Sequence, residues 1–128
     1  MIIENVKVMK LDEPNLNNRI YKKETIQNAI SKCKSELLGI IGMSENTDID
    51  LSKISHVSMN HRIENDYFVC DIKTLDTSCG KQLEKLLEAD QKDNIFGFRT
   101  AGVGSLNSDR TISDDYSILS INYVCNPA

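Results

Sequence analysis

Two one-sided apolar stripes set among β-rich runs constrain the fold more than any other feature of this chain. From Lys23 to Leu38, Ile26, Ile30, Cys33 and Leu37 recur at steps of four, three and four, which predicts a helix with a single apolar face. Further on, "LDTSCGKQLEKLLEAD" offers Thr77 or Ser78 as an N-cap, followed by Leu83, Leu86 and Leu87 on one side. That predicts a second helix ending near Ala89. A helix that is apolar on one side must cover something, and the remaining sequence supplies strands.

"IIENVKVM" at residues 2 to 9 reads as a strand closed by the turn formers of "DEPNLNNR", and "LLGIIGM" as a short buried strand before the loop "ENTDIDLSK". "ISHVSMN" and "DYFVCDIKTL" read as a hairpin around "HRIEN", which puts His61 and Arg62 in a solvated turn. "NIFGFRTAGVGSL" and "YSILSINYVCNPA" read as two more strands joined by "NSDRTISDD". The order lacks regular βαβ alternation, so the expected fold is α+β: a mostly antiparallel, barrel-like sheet with two helices, in one domain over residues 1–128.

Of the 128 residues, 40% are hydrophobic and 27% charged, a globular composition. The net charge of −4 argues against a duplex nucleic-acid footprint, which needs clustered Lys and Arg. Neither a secretory signal nor an apolar membrane span is visible, so the expectation is a cytoplasmic protein, without a membrane partner. Cys33, Cys70, Cys79 and Cys125 form no CxxC pair and have no histidine at zinc-ligand spacing. Reduced thiols are expected, with no metal and no cofactor.

Three of the six glycines, Gly97, Gly102 and Gly104, fall within "FGFRTAGVGSL", with Arg99 among them. This block and three others resemble the prohead (capsid-maturation) proteases of tailed bacteriophages, serine peptidases built on a herpesvirus-assemblin type of β-barrel. The family's "NxNGRIYP" turn is matched by Asn15, Asn17, Arg19, Ile20 and Tyr21, with Asn18 in place of the glycine. Its "LDTPxGK" is matched by Leu75, Asp76, Thr77, Gly80 and Lys81, with Ser78 in place of the proline, and "INYVCNPA" is similar to its "DVVSNPS" strand.

The chemistry-bearing blocks depart from that pattern. Where the family has "GELDHP" and then "VSH", this chain has "GIIGMS" and "ISH", so His56 matches the second histidine while the first falls on Met43, flanked by Gly42 and Ser44. Laid over "GVSSRGLGS", the stretch Gly97 to Ser105 puts Arg99 at the nucleophilic serine and Ala101 at the arginine. Methionine takes no proton at neutral pH and arginine has no lone pair for attack. The resemblance therefore implies a disabled protease. Thr100 or Ser105 could replace the nucleophile, with His56 as base, only through a register slip.

A guanidinium in that place makes the site anion-seeking, and Gly102 and Gly104 would let backbone N–H groups approach a bound phosphate. His56 would add a donor, and Phe96, Phe98 or Met43 an apolar wall. The expected ligand is a phosphate-bearing small molecule. Simpler assignments stand beside this one: Arg99 pairing with a carboxylate of the Asp109–Asp115 run, His56 as a satisfied strand histidine, Met43 in the core, and the glycines marking a bulge. Three functions follow: sequestration of a nucleotide-type host signal against an antiviral defence, cleavage of capsid precursors, or a structural role in the prohead core with a phage or host protein as partner. A homo-oligomer is left open.

Overall fold

The computed structural model describes residues 1–43, 49–89 and 96–125, with only the backbone of Phe96. Ser44, the Phe96 side chain and the final "NPA" lie outside the described residues. Strand β1 (Ile2–Lys10) leads to helix α1 (Lys23–Lys32) and strand β2 (Glu36–Ile40). The hairpin β3 (Ile54–Glu64) and β4 (Tyr67–Thr74) is followed by α2 (Ser78–Ala89), and β5 (Phe96–Val103) and β6 (Ser117–Cys125) complete the fold. All strand ladders are antiparallel, in a four-stranded sheet ordered β1-β4-β3-β2 and a two-stranded ribbon β5-β6.

The sheet and the ribbon meet where β2 ends. Ile41 forms a parallel bridge with Tyr123, and Gly42 N donates to the Tyr123 carbonyl at 2.8 Å. At the far side β1 lies against β5, yet β1 is laddered only to β4 and β5 only to β6. The expected α+β architecture with two helices is present, but no closed barrel forms.

Helix α1 packs over β3 and β6 through Thr25, Ile26 and Ala29, and α2 over β3 and β4 with Leu83 fully buried and Leu86 and Leu87 at the margin. Thr77 caps α2: its hydroxyl oxygen accepts from Gly80 N at 2.9 Å while the hydroxyl donates to the Ile54 carbonyl at 2.9 Å. Between the helices and sheet lies a core that includes Phe68, Cys70, Ile72, Phe98 and Ile121. No described helix is long and apolar enough to cross a membrane. All four cysteines are free thiols; Cys70 is buried and Cys125 exposed.

Two sequence expectations are corrected. Helix α1 stops at Lys32, where Cys33 N bonds back to the Ala29 and Ile30 carbonyls, so Leu37 belongs to β2 and not to the helical stripe. His61 and Arg62 are not in a solvated turn, because β3 runs on to Glu64 and the reversal falls at Asn65, with φ 53°. A bulge at Asn60, φ 53°, interrupts the β3–β4 register and re-aims both residues. His61 lies partly buried with Nε2 2.8 Å from Ser58 Oγ, and Arg62 pairs with Glu64 and Asp71.

Candidate functional site

Strand alternation divides the predicted site in two. Phe98 turns inward, 7% exposed, and its ring meets His56 edge-on at 5.4 Å and Tyr123 at 5.1 Å. Arg99, the next residue, points to the other face of β5, half-buried at the wall of a cavity of about 200 Å³. Met43 and Gly102 line that cavity with Arg99, whereas His56, Phe98 and Gly104 do not.

The second cation of the cavity is Arg19, which motif reading treated only as part of a turn. Asn15 Oδ1 accepts from the backbone of Asn17 at 2.9 Å and of Arg19 at 3.0 Å, and Asn18 takes φ 60°, the left-handed geometry for which the related motif keeps glycine. This turn is stitched to the loop before β6: Ile20 N donates to the Arg110 carbonyl and Ile112 N to the Ile20 carbonyl, both at 2.9 Å. Residues far apart in sequence thus bring Arg19, Asn15, Asn17 and Tyr21 opposite Arg99. The signal that could have found them was the "NLNNRIY" block, but nothing in its spacing points to Arg99.

Tyr116 also lines the cavity, 4% exposed, with its ring edge-on to Tyr21 at 5.4 Å. Burial pushes the Tyr116 phenol well above its ordinary value, and the charge and hydrogen bond of Tyr21 add to this; Arg99 and Arg19 pull the other way. Both guanidiniums are therefore within electrostatic reach of one hydroxyl. Among the described residues neither forms an ion pair. The carboxylates once expected for Arg99 are engaged elsewhere: Asp109 with Thr111, Asp114 with Thr25, and Asp115 with Ser105. The apolar wall comes from Val8, Met9, Met43, Val103 and Leu119. Leu119 is the extra residue on β6 where the β5–β6 register shifts opposite Ala101 and Gly102.

The missing side chains of Gly102 and Gly104 have a packing role. A Cβ at Gly102 would strike the Tyr116 hydroxyl and ring, and one at Gly104 would press on the backbone and ring of the same tyrosine. Their absence of side chain accommodates Tyr116. Met43 is 45% exposed, so it is a wall residue and not a core residue.

His56 is fully buried and satisfied. Nε2 lies 2.7 Å from the Ile121 carbonyl and Nδ1 2.6 Å from Ser55 Oγ. Since a carbonyl can only accept, Nε2 carries the hydrogen and Nδ1 accepts the Ser55 hydroxyl. Ser55, 0% exposed, is the hydroxyl that touches the imidazole, and no substrate carbonyl can reach it there. The alternative nucleophiles are elsewhere. Ser105 gives both its N–H and its hydroxyl to Asp115, at 3.0 and 2.8 Å, and the buried Thr100 hydroxyl oxygen has no hydrogen-bond partner. Neither bonds His56, so among the described residues no Ser–His or Thr–His pair faces the cavity. Among the described residues no group of three or more His, Cys, Asp or Glu side chains could hold a metal.

The two helices and open antiparallel sheets form a prohead-protease-like fold. Among solved structures, the chain is similar to the capsid assembly protease of bacteriophage T4, with a TM-score of 0.79 over 97% of this chain and 90% of that chain, at 16% identity. That likeness establishes the fold. No family model and no curated protein matches the sequence.

Proposed function

We propose that this chain is a non-catalytic, phage-derived relative of the prohead proteases that binds and sequesters a phosphate-bearing small molecule, a nucleotide-type immune signal of the bacterial host. One observation carries the reading: Arg99, at the position matching the family's serine, reaches a cavity with Arg19 and has no carboxylate partner among the described residues. Met43, at the position matching the family's base, lines the same cavity. Guanidiniums offer fixed donor forks suited to phosphate, and a partly enclosed cavity raises the strength of that attraction over its value in water. Removing such a signal from the cytosol would blunt an antiviral response.

The test is a thermal-shift panel of cyclic and ADP-ribose-type nucleotides, together with analysis of what the heat-denatured protein releases. A ligand at a hundredfold excess over its Kd stabilises by about 2.7 kcal/mol, on the order of 10 °C for a chain of this size. Arg99→Ala should abolish the shift. If no nucleotide shifts the wild type and nothing phosphate-containing is released, the reading fails.

The fold likeness to a capsid assembly protease supports a second reading, a role in prohead assembly. It predicts co-purification with capsid protein and indifference to Arg99→Ala. If instead capsid precursor is cleaved, with loss on Ser105→Ala or Thr100→Val, the chain is a protease after all.

A further inference from the structure

Granting the ligand-binding reading, we infer that the group the cavity selects is a terminal phosphomonoester, a dianion, in preference to a phosphodiester. Arg19 approaches from the turn before α1 and Arg99 from β5, and both line the cavity together with Tyr116. Two cations facing one cavity of about 200 Å³, with no carboxylate paired to either among the described residues, match a charge of −2. A diester carries a single negative charge and offers the second guanidinium no anionic partner of its own. A monoester also presents three terminal oxygens, enough for two guanidinium forks approaching from different sides.

The cavity of about 200 Å³ is open on one side, so it takes a terminal phosphoryl group while the remainder of the ligand extends outward. The carbon side of such a ligand meets Met43, Val103 and Leu119, while Asn15, Asn17 and Tyr21 stand on the polar side. Arg19 is held ready, since its backbone is tied to Asn15 Oδ1 and the turn to the loop before β6.

Calorimetric titration with AMP and with 3′,5′-cyclic AMP tests this, because the two share base and ribose and differ in the phosphate ester. AMP should bind at least tenfold more tightly, and Arg19→Gln should remove most of that preference. Arg19→Lys, which keeps the charge and loses the fork, should fall between. Arg19 is exposed and, among the described residues, forms no ion pair, so circular dichroism should show both variants folded. Equal or tighter binding of the cyclic diester overturns the inference while leaving the ligand-binding reading intact. Unchanged AMP affinity in Arg19→Gln also overturns it, as does failure of AMP to bind; the nucleotide panel above then decides separately whether any ligand is held through Arg99.

Discussion

His56 Nε2 donates to the carbonyl oxygen of Ile121 at 2.7 Å, a hydrogen bond that ties β3 to β6 through the interior. With Nδ1 accepting from Ser55, both nitrogens of the neutral ring are engaged. Burial holds the His56 pKa below the ordinary histidine value, against an opposing contribution from the Ile121 carbonyl, and burial lowers that of His61 as well.

Stability should therefore fall with acidification in the histidine range. The unfolded chain takes up protons near pH 6.5 while the folded chain resists, so the stabilisation is complete above that pH and is lost as pH drops toward the lower folded-state values. The slope contributed by His56 is at most about 1.4 kcal/mol per pH unit. Urea midpoints at pH 7.5, 6.5 and 5.5 should decline in that order; a flat profile would mean that the imidazole is charged or solvated in the fold.

Gly39 sits across from His56 on β2, and a Cβ there would collide with the His56 ring and the Ile121 carbonyl. Gly39→Ala should cost about 1–3 kcal/mol by overpacking. Chemical denaturation measures it, and a neutral result would place the imidazole elsewhere.

Thr100 carries a buried hydroxyl oxygen without a partner. Thr100→Val keeps the shape and removes the unmet polar group, so stability should be unchanged or rise by up to about 1 kcal/mol. A loss above about 1 kcal/mol would reveal a hydrogen bond at that hydroxyl.

Arg62 and Arg99 should respond in opposite ways to truncation. Arg62 bonds Glu64 Oε1 at 2.9 Å, the Asn60 carbonyl at 2.7 Å and Asn5 Oδ1 at 2.5 Å, pinning the bulges on β3 and β1. Arg62→Ala should cost about 1–2 kcal/mol, whereas Arg99→Ala should change stability by less than about 0.5 kcal/mol. Parallel melts of the two variants without ligand make the comparison. An Arg99 cost equal to that of Arg62 would show that it is a structural group.

Helix α2 is legible in the sequence because its signals agree: Thr77 caps it, and Leu83, Leu86 and Leu87 share a side. The end of α1 is not, since no glycine or proline marks it and Leu37 keeps the helical step while its backbone is already extended in β2. Arg99, Met43 and Gly102 line one cavity because the fold brings the end of β2 toward the β5–β6 ribbon. His56, placed with them by its match to the family's second histidine, is buried instead against the inward-facing Phe98. The place of Arg19 at the cavity is not legible for a different reason: its turn is positioned by hydrogen bonds of Ile20 with Arg110 and Ile112 that no local pattern announces.

Tyr116 rests on two positions where a methyl group would collide with it, Gly102 and Gly104. Drift at either glycine is thus screened first by whether the aromatic ring still fits. A cousin that keeps both glycines while losing Arg99 would be preserving a seat for the phenol, and its pocket could have an entirely different occupant.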